Sequence, residues 1–283
     1  MLKTKLSSLA RLFRFELPFT AGICVVLGQL LALGEFPAFR EWTLGFLSVF
    51  FISAVALILN DVFDIETDRI NAPHRPLPAG LVTVREAVGL AIFVTALGLA
   101  AAFLLSISAL VVALLAWVVG FLYNGRFKKA GLFGNLMVST SVGMTFIFGG
   151  VSVGKPFELV VWLFAALAFL INLGEEIAAD AMDLEGDRET GSRSLPVMIG
   201  REPALRVSAT IFLAACLIAV LPFLLGWLGW AYAIPFILMD AVVLYSTVKL
   251  LDSNLPNRRP YIRWIYLSAM VAILAVIVMR LVG

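Results

Sequence analysis

Two acidic stretches carry most of the chemistry this sequence could perform. They are Asn60-Asp61-Val62-Phe63-Asp64-Ile65-Glu66-Thr67-Asp68 and Asp180-Ala181-Met182-Asp183-Leu184-Glu185-Gly186-Asp187, and each closes a long apolar run. In both, aspartates recur at i, i+3 and i+7. On a helix this spacing lines the carboxylates along one face, with neighbouring Cβ atoms about 5–6 Å apart. Like charges so placed repel, and each costs roughly 2.5–3.5 kcal/mol at membrane depth. Something cationic must offset them. Magnesium takes oxygen ligands and is usually held by one or two carboxylates together with substrate phosphates, so two facing clusters suit Mg²⁺ ions set against a diphosphate. Cations that could complete such a cradle follow in the same loops: Arg69 and Arg75, then Arg126, Lys128 and Lys129, then Arg188 and Arg193. The reaction that fits is ionisation of an allylic diphosphate, with metal and cationic side chains stabilising the departing group. A long isoprenoid tail would explain a site built in the membrane.

The elements that position these residues are dictated by the solvent. Of 283 residues, 61% are hydrophobic and 14% charged, and the mean hydropathy is +1.01. That composition describes an integral membrane protein. A net charge of +2 with no basic tail points away from nucleic acid. Apolar runs long enough to span fall at about 15–33, 43–61, 85–105, 108–123, 132–151, 158–177, 204–225, 229–250 and 262–282. The fold expected is therefore all-α and polytopic, nine transmembrane helices around a central cavity that opens to the cytoplasm, in one domain over 1–283. Thr83-Val84-Arg85-Glu86 reads as a capping box opening the third span. Pro156 and Pro203 sit near helix starts; Pro18, Pro222 and Pro235 lie within spans and are expected to kink them. Cys24 and Cys216 lie deep in apolar runs as packing residues. The first span is too long, and lacks the small-residue cleavage pattern, for a signal peptide.

Counted loop by loop, 18 of the 21 Lys and Arg fall on one side of a nine-span arrangement and three on the other. This asymmetry puts the N-terminus and both acidic clusters in the cytoplasm and the C-terminus outside. The second cluster starts 119 residues after the first aspartate of the first, Asp61, which suggests two pseudo-related halves, roughly 1–131 and 132–283.

The motifs also carry a family resemblance. Asn60-Asp61-x-x-Asp64-x-x-x-Asp68, running on into Arg69-Ile70-Asn71-x-Pro73-x-Arg75-Pro76-x-Pro78-x-Gly80, resembles the first signature of the UbiA superfamily of intramembrane prenyltransferases. Asp180-x-x-Asp183-x-Glu185-Gly186-Asp187-Arg188-x-x-Gly191 resembles its second. Tyr123-Asn124-Gly125-Arg126-Phe127-Lys128-Lys129 is similar to its Tyr/Lys-containing cytoplasmic loop, and Arg14-Phe15-Glu16-Leu17-Pro18 to the segment that opens its first helix. The resemblance implies that Asn60, Asp64, Asp183 and Asp187 are the main Mg²⁺ ligands, with Asp61 and Asp180 as further ligands. It implies that Arg75, Lys128 and Arg14 contact the diphosphate and that Tyr123 is catalytic, beside the developing allylic cation. Asp68 is read as a further catalytic residue and Lys129 as a further substrate-binding cation, and Arg193, one of a surplus of cations around the two loops, as binding a phosphate-bearing acceptor. Within the superfamily the motif variants look most like the archaeal branch that joins a geranylgeranyl group, carried by geranylgeranyl diphosphate, to a glycerol-phosphate ether lipid. Ala179 and Met182 depart from that branch, which often has lysine and an acid at those places. Quinone-type and chlorophyll-synthase-like enzymes, with other lipophilic acceptors, carry similar motifs.

Other readings were weighed against this one. A cation transporter would also place acids in two related halves, but it would hardly set arginines beside its ion path. The Asp-Gly-x-x-Ala-Arg core of the CDP-alcohol phosphotransferases is absent from the sequence. His74, among prolines, reads as a loop residue, Gly149-Gly150 as helix packing, and Arg258 and Arg259 as charges that only fix topology. Asp240, alone in the eighth span, is left unexplained by either motif.

Overall fold

The structure is a computed structural model describing residues 2–189 and 191–282. Gly283 and the side chain of Asn71 lie outside the described residues. Among the described residues there is no strand. The helices are α1 (Leu2–Arg11), α2 (Glu16–Leu33), α3 (Phe39–Phe63), α4 (Ile65–Asn71), α5 (Val84–Leu105), α6 (Ile107–Leu122), α7 (Leu132–Ser152), α8 (Leu159–Met182), α9 (Leu184–Glu189), α10 (Leu195–Ile199), α11 (Arg201–Ala219), α12 (Leu221–Leu224), α13 (Ala233–Leu251) and α14 (Arg259–Val282). Among the described residues nine of these, with their extensions, are long and apolar enough to cross a membrane: α2, α3, α5, α6 continued to Phe127, α7, α8, α11 with α12, α13 with the short turn before it, and α14.

Local chemistry sets the helix limits. Thr83 and Glu86 close the expected capping box, Glu86 N donating to Thr83 Oγ1 at 3.3 Å and Thr83 N donating to Glu86 Oε2 at 2.9 Å. Ser106 ends α5 and caps α6, accepting from Ala109 N at 3.0 Å. The prolines behave differently from expectation. Pro18 and Pro235 fall in the first turns of α2 and α13, where a missing N–H leaves no bond unmade, so neither kinks a span. Only Pro222 accompanies a break, between α11 and α12.

Successive helices pack as neighbours, α3 on α5, α5 on α6, then α6 on α7, α7 on α8, α8 on α11, α11 on α13 and α13 on α14. Helix α2 completes the arrangement by packing on α3, α7, α8 and α14. Water supplies no driving force between helices in lipid, so close backbone approach and interhelical hydrogen bonds must hold them. A Cβ on Gly28 would lie 2.6 Å from Phe146 O, and one on Gly149 2.5 Å from Val25 O, so α2 and α7 touch backbone to backbone. Buried Gln29 donates to Glu41 O at 2.8 Å and to Ser152 Oγ at 2.9 Å, fastening α2, α3 and α7 at the end away from the acidic motifs. Outward-facing Phe93, Phe103, Leu217 and Leu238 are exposed, as lipid contact requires.

Candidate active site

Both acidic motifs bend at their middle aspartate. Helix α3 stops at Phe63 and Asp64 takes φ −93°, ψ 4° before α4 begins; α8 stops at Met182 and Asp183 takes φ −100°, ψ 10° before α9. The i to i−4 bonding survives each bend, with Asp64 N to Asn60 O at 2.9 Å, Asp68 N to Asp64 O at 2.8 Å and Asp187 N to Asp183 O at 2.9 Å. The single carboxylate stripe expected of an unbroken helix is therefore corrected. In the first motif the residues sort onto two sides.

On one side Asp61 and Asp68 are buried, 2% and 6% exposed, and face arginines. Asp61 accepts from Arg14 and lies 3.7 Å from Arg75 Nη1, while Asp68 accepts from Arg75 at 2.6 Å. Arg14 reaches inward from the link between α1 and α2 with φ 44°, a left-handed conformation that side-chain-bearing residues seldom adopt. The neighbouring Leu12, fully buried in an apolar cluster with Val55, Ile58 and Leu77, anchors that link against α3. On the other side Asp64 accepts from Lys128. With the Asn60 amide oxygen turned to Lys128 Nζ at 2.9 Å, its nitrogen donates to Asp64 Oδ2 at 3.3 Å.

Lys128 is placed by an unusual turn. Residues Tyr123–Phe127 form a π-helical turn at the end of α6, with Lys128 N donating to Tyr123 O at 2.8 Å. Such turns recur at functional sites because the inserted residue re-aims its neighbours. Asn124 pins the turn to α3 by donating to Ala56 O at 2.9 Å. The Tyr123 hydroxyl consequently sits in the field of Glu176 and Asp180 from α8 and of Asp64 from the first motif. The two basic loops also touch, Arg193 N donating to Lys129 O at 3.3 Å. Gly131 permits this: it has φ 62°, and a Cβ there would fall 1.8 Å from Arg193 O.

In the second motif Asp180 accepts from Asn135 Nδ2 at 2.8 Å and Asp183 accepts from Arg259, at the start of α14. The structure thus brings the acidic residues of both motifs to one end of the bundle, with Arg14, Arg75, Lys128 and Tyr123 among them. The side chains of Lys129 and Arg193 are exposed where the loops meet, without a side-chain contact to either motif among the described residues. Among the described residues no three His, Cys, Asp or Glu side chains converge as a ready-made metal cage. His74 is an exposed loop residue as expected. Asp240 meets the Cys216 thiol inside the bundle.

Sequence reasoning passed over several residues here. Glu175 and Glu176 belong to α8, which runs to Met182 instead of ending near 177; acids on a spanning helix, with Glu176 one turn before Asp180, were the signal. Asn124, Asn135 and Asn172 were hidden because an uncharged amide in an apolar run carries no sign of its partner; Ser139 Oγ to Asn172 Oδ1 is 3.1 Å. Arg259 is more than a topology charge, since it binds Asp183.

Among the described residues, nine helices long and apolar enough to span, with two bent acidic motifs and basic loops meeting at one end, form the arrangement expected of an intramembrane prenyltransferase. Residues 21–267 match the model of the UbiA prenyltransferase family, and the chain belongs to that family. It is 37% identical over 235 residues, 83% of each chain, to the digeranylgeranylglyceryl phosphate synthase of Thermococcus gammatolerans. A solved structure described as that of a digeranylgeranylglyceryl phosphate synthase superposes with a TM-score of 0.80 at 30% identity, covering 98% of both chains. A UbiA homologue from Archaeoglobus fulgidus, solved with GPP and Mg²⁺, shares the fold at a TM-score of 0.65 and 22% identity, covering 95% of this chain and 99% of that one. The chain is a multi-pass membrane prenyltransferase.

Proposed function

We propose that this enzyme transfers the geranylgeranyl group of geranylgeranyl diphosphate to geranylgeranylglyceryl phosphate, from a cavity between the two motifs that opens to the cytoplasm. The observation that carries the reading is the π-helical turn that holds Tyr123 and Lys128 together, Lys128 bonded to Asp64 of the first motif, while the adjoining Lys129 meets the loop that follows the second. The kinship to digeranylgeranylglyceryl phosphate synthases sets the donor and acceptor. The donor set suits Mg²⁺. It is made wholly of carboxylate and amide oxygens, and this ion needs only one or two carboxylates besides substrate phosphates. Asn60, Asp64, Asp183 and Asp187 would hold it, with Asp180 fixed alongside by Asn135. When bound, Mg²⁺ neutralises charge on the leaving diphosphate.

The protein's own residues do the rest. Arg75, Arg14 and Lys128 each hold a carboxylate now and have further N–H donors to offer diphosphate oxygens. Asp61 and Asp68 fix the guanidinium planes, so that the cations are oriented before substrate arrives. The Tyr123 ring presents a π-face to the allylic cation, and the surrounding acids add to the attraction. The C1–O bond to diphosphate breaks first, and the acceptor hydroxyl oxygen then bonds to the allylic C1 and gives up its proton to the released diphosphate. Supplying purified protein with labelled geranylgeranyl diphosphate and a panel of acceptors tests the assignment. Transfer to geranylgeranylglyceryl phosphate supports it; transfer only to a hydroxybenzoate or naphthoate would refute the acceptor while leaving the diphosphate chemistry intact.

A further inference from the structure

Next to Met182 of the second motif lies a cavity of about 300 Å³ between the start of α11, the start of α14 and the loop that follows α13. Three guanidinium groups line it, those of Arg201, Arg258 and Arg259, with the polar side chains of Ser253 and Asn257 and with Met182 of α8. No carboxylate is in the lining. Each of these arginines is paired with an acid that is not among the lining residues. Arg201 donates to Glu185 at 2.9 Å and to Ala181 O at 2.9 Å, and Arg258 donates to Glu202 at 2.8 Å and to Leu250 O at 2.9 Å. Arg259 holds Asp183 and also reaches Met182 O at 3.3 Å.

A charge that serves only to orient the chain in the membrane needs no enclosure. Arg258 is nonetheless 8% exposed, a long cationic side chain taken out of water and fixed by two partners. Burial of this kind is costly unless the charge is paired and hydrogen-bonded, as it is here by Glu202 and Leu250 O, so the side chain is held rigidly in the cavity wall. The N-termini of two full-length helices, α11 and α14, add their positive ends at the same place. Five N–H donors per guanidinium leave donors to spare after the existing pairs. The arrangement is that of a site for a phosphate group, and Arg259 connects it directly to Asp183 of the second motif.

We propose that this cavity binds the phosphate of the glyceryl phosphate acceptor and so sets its hydroxyl against the allylic carbon. The inference rests on the acceptor assigned above. The donor diphosphate is served by Arg14, Arg75 and Lys128, at the first motif; the acceptor brings a second anion, and these three arginines, Arg258 buried and Arg201 and Arg259 open to solvent, line one cavity at the second motif.

The test uses the whole enzyme in nanodiscs of zwitterionic lipid, with Arg201→Gln and Asn257→Ala as variants. Arg201 is bonded to Glu185 and Ala181 O of the second motif but to none of its aspartates, Asn257 accepts from Arg259 N at 3.1 Å, and neither replacement empties a core. For Arg201→Gln the KM for geranylgeranylglyceryl phosphate should rise roughly tenfold or more, as expected on losing a charge-assisted hydrogen bond to phosphate. The KM for geranylgeranyl diphosphate should stay within about twofold. Glycerol phosphate should inhibit wild type competitively against the acceptor, and the variant less. An unchanged acceptor KM in an enzyme that turns this acceptor over would overturn the cavity assignment. So would loss of stimulation by added anionic phospholipid with acceptor KM intact, because the site would then hold bulk lipid headgroups. A wild type that ignores the acceptor altogether refutes the activity; glycerol phosphate binding, read by thermal shift of wild type against Arg201→Gln, then decides the cavity separately.

Discussion

Asp61 and Asp64 stand three residues apart in one motif, yet their removal should have opposite consequences. Asp61 is 2% exposed and bonded to Arg14, with Arg75 Nη1 at 3.7 Å. Removing one member of a buried pair costs about 3–5 kcal/mol because the other charge is left uncompensated. Here the arginine side chains are 32% and 33% exposed and can reach water, which lowers the figure to about 2–3 kcal/mol. Part of the loss comes from Arg14, whose left-handed backbone would no longer be held by its bond to Asp61. Asp64 is partnered by Lys128, whose side chain is 36% exposed. Releasing it to solvent should change stability by no more than about 0.5 kcal/mol. Asp61→Ala should therefore lower the thermal midpoint in detergent by about 4–12 °C, at roughly 2–4 °C per kcal/mol. Asp64→Ala should leave the midpoint within about 2 °C while prenyl transfer is abolished. Thermal unfolding followed by tryptophan fluorescence, with turnover measured on the same preparations, separates the two. Equal midpoints for both variants would refute the two-sided reading of the motif, and full activity in Asp64→Ala would refute its place in the diphosphate site.

Other expectations follow from the geometry. Asp183→Ala, and treatment of wild type with EDTA, should each stop transfer and leave the protein folded; turnover undiminished in metal-free buffer would exclude the magnesium assignment. Gly131→Ala should part the two basic loops, since its Cβ would overlap Arg193 O and its φ of 62° with ψ of −128° is a sparsely populated conformation that costs alanine about 1–3 kcal/mol; trypsin should then cut at Lys129 and Arg193 faster than in wild type, and equal rates would mean the loops are not docked. Cysteines introduced at Ala79 and Ser192 should be labelled from the same side of a sealed vesicle, opposite to one at Gly283, and opposite-side labelling of the first pair would dissolve the shared site.

The spans and their number were legible because membrane burial imposes long apolar runs, and the capping box at Thr83 because a cap is a local bond between residues three apart. The two motifs were legible for the converse reason: acids at the edge of such a run need an explanation. What spacing could not convey was orientation. Nothing in Asn60 to Asp68 shows that Asp61 and Asp68 turn to arginines while Asp64 turns to lysine, because that follows from the bend at Asp64. Nor does the order of residues reveal that Arg14, 47 positions away, is the main partner of Asp61. Arg258 and Arg259 looked like topology charges since a basic pair at a helix start is common; only tertiary packing shows one buried against Glu202 and the other bound to Asp183. Proline misled in the same way. Its effect depends on which turn it occupies, and helix limits are the least certain part of any reading of periodicity.

The bond between Arg14 and Asp61 also bears on how the chain is made. The two residues flank the first pair of spanning helices, α2 and α3, so both emerge before the other seven are synthesised. Folding during synthesis proceeds from the N-terminus. A helical hairpin inserted at that stage would otherwise carry an unpaired acid at the edge of the hydrocarbon, with the penalty this entails. Arg14 supplies the counter-charge from within the same hairpin, and Leu12 packs against α3 without waiting for later helices. The N-terminal arm thus lets the first third of the site become electrically neutral on its own, as a nucleus on which the second motif is later assembled.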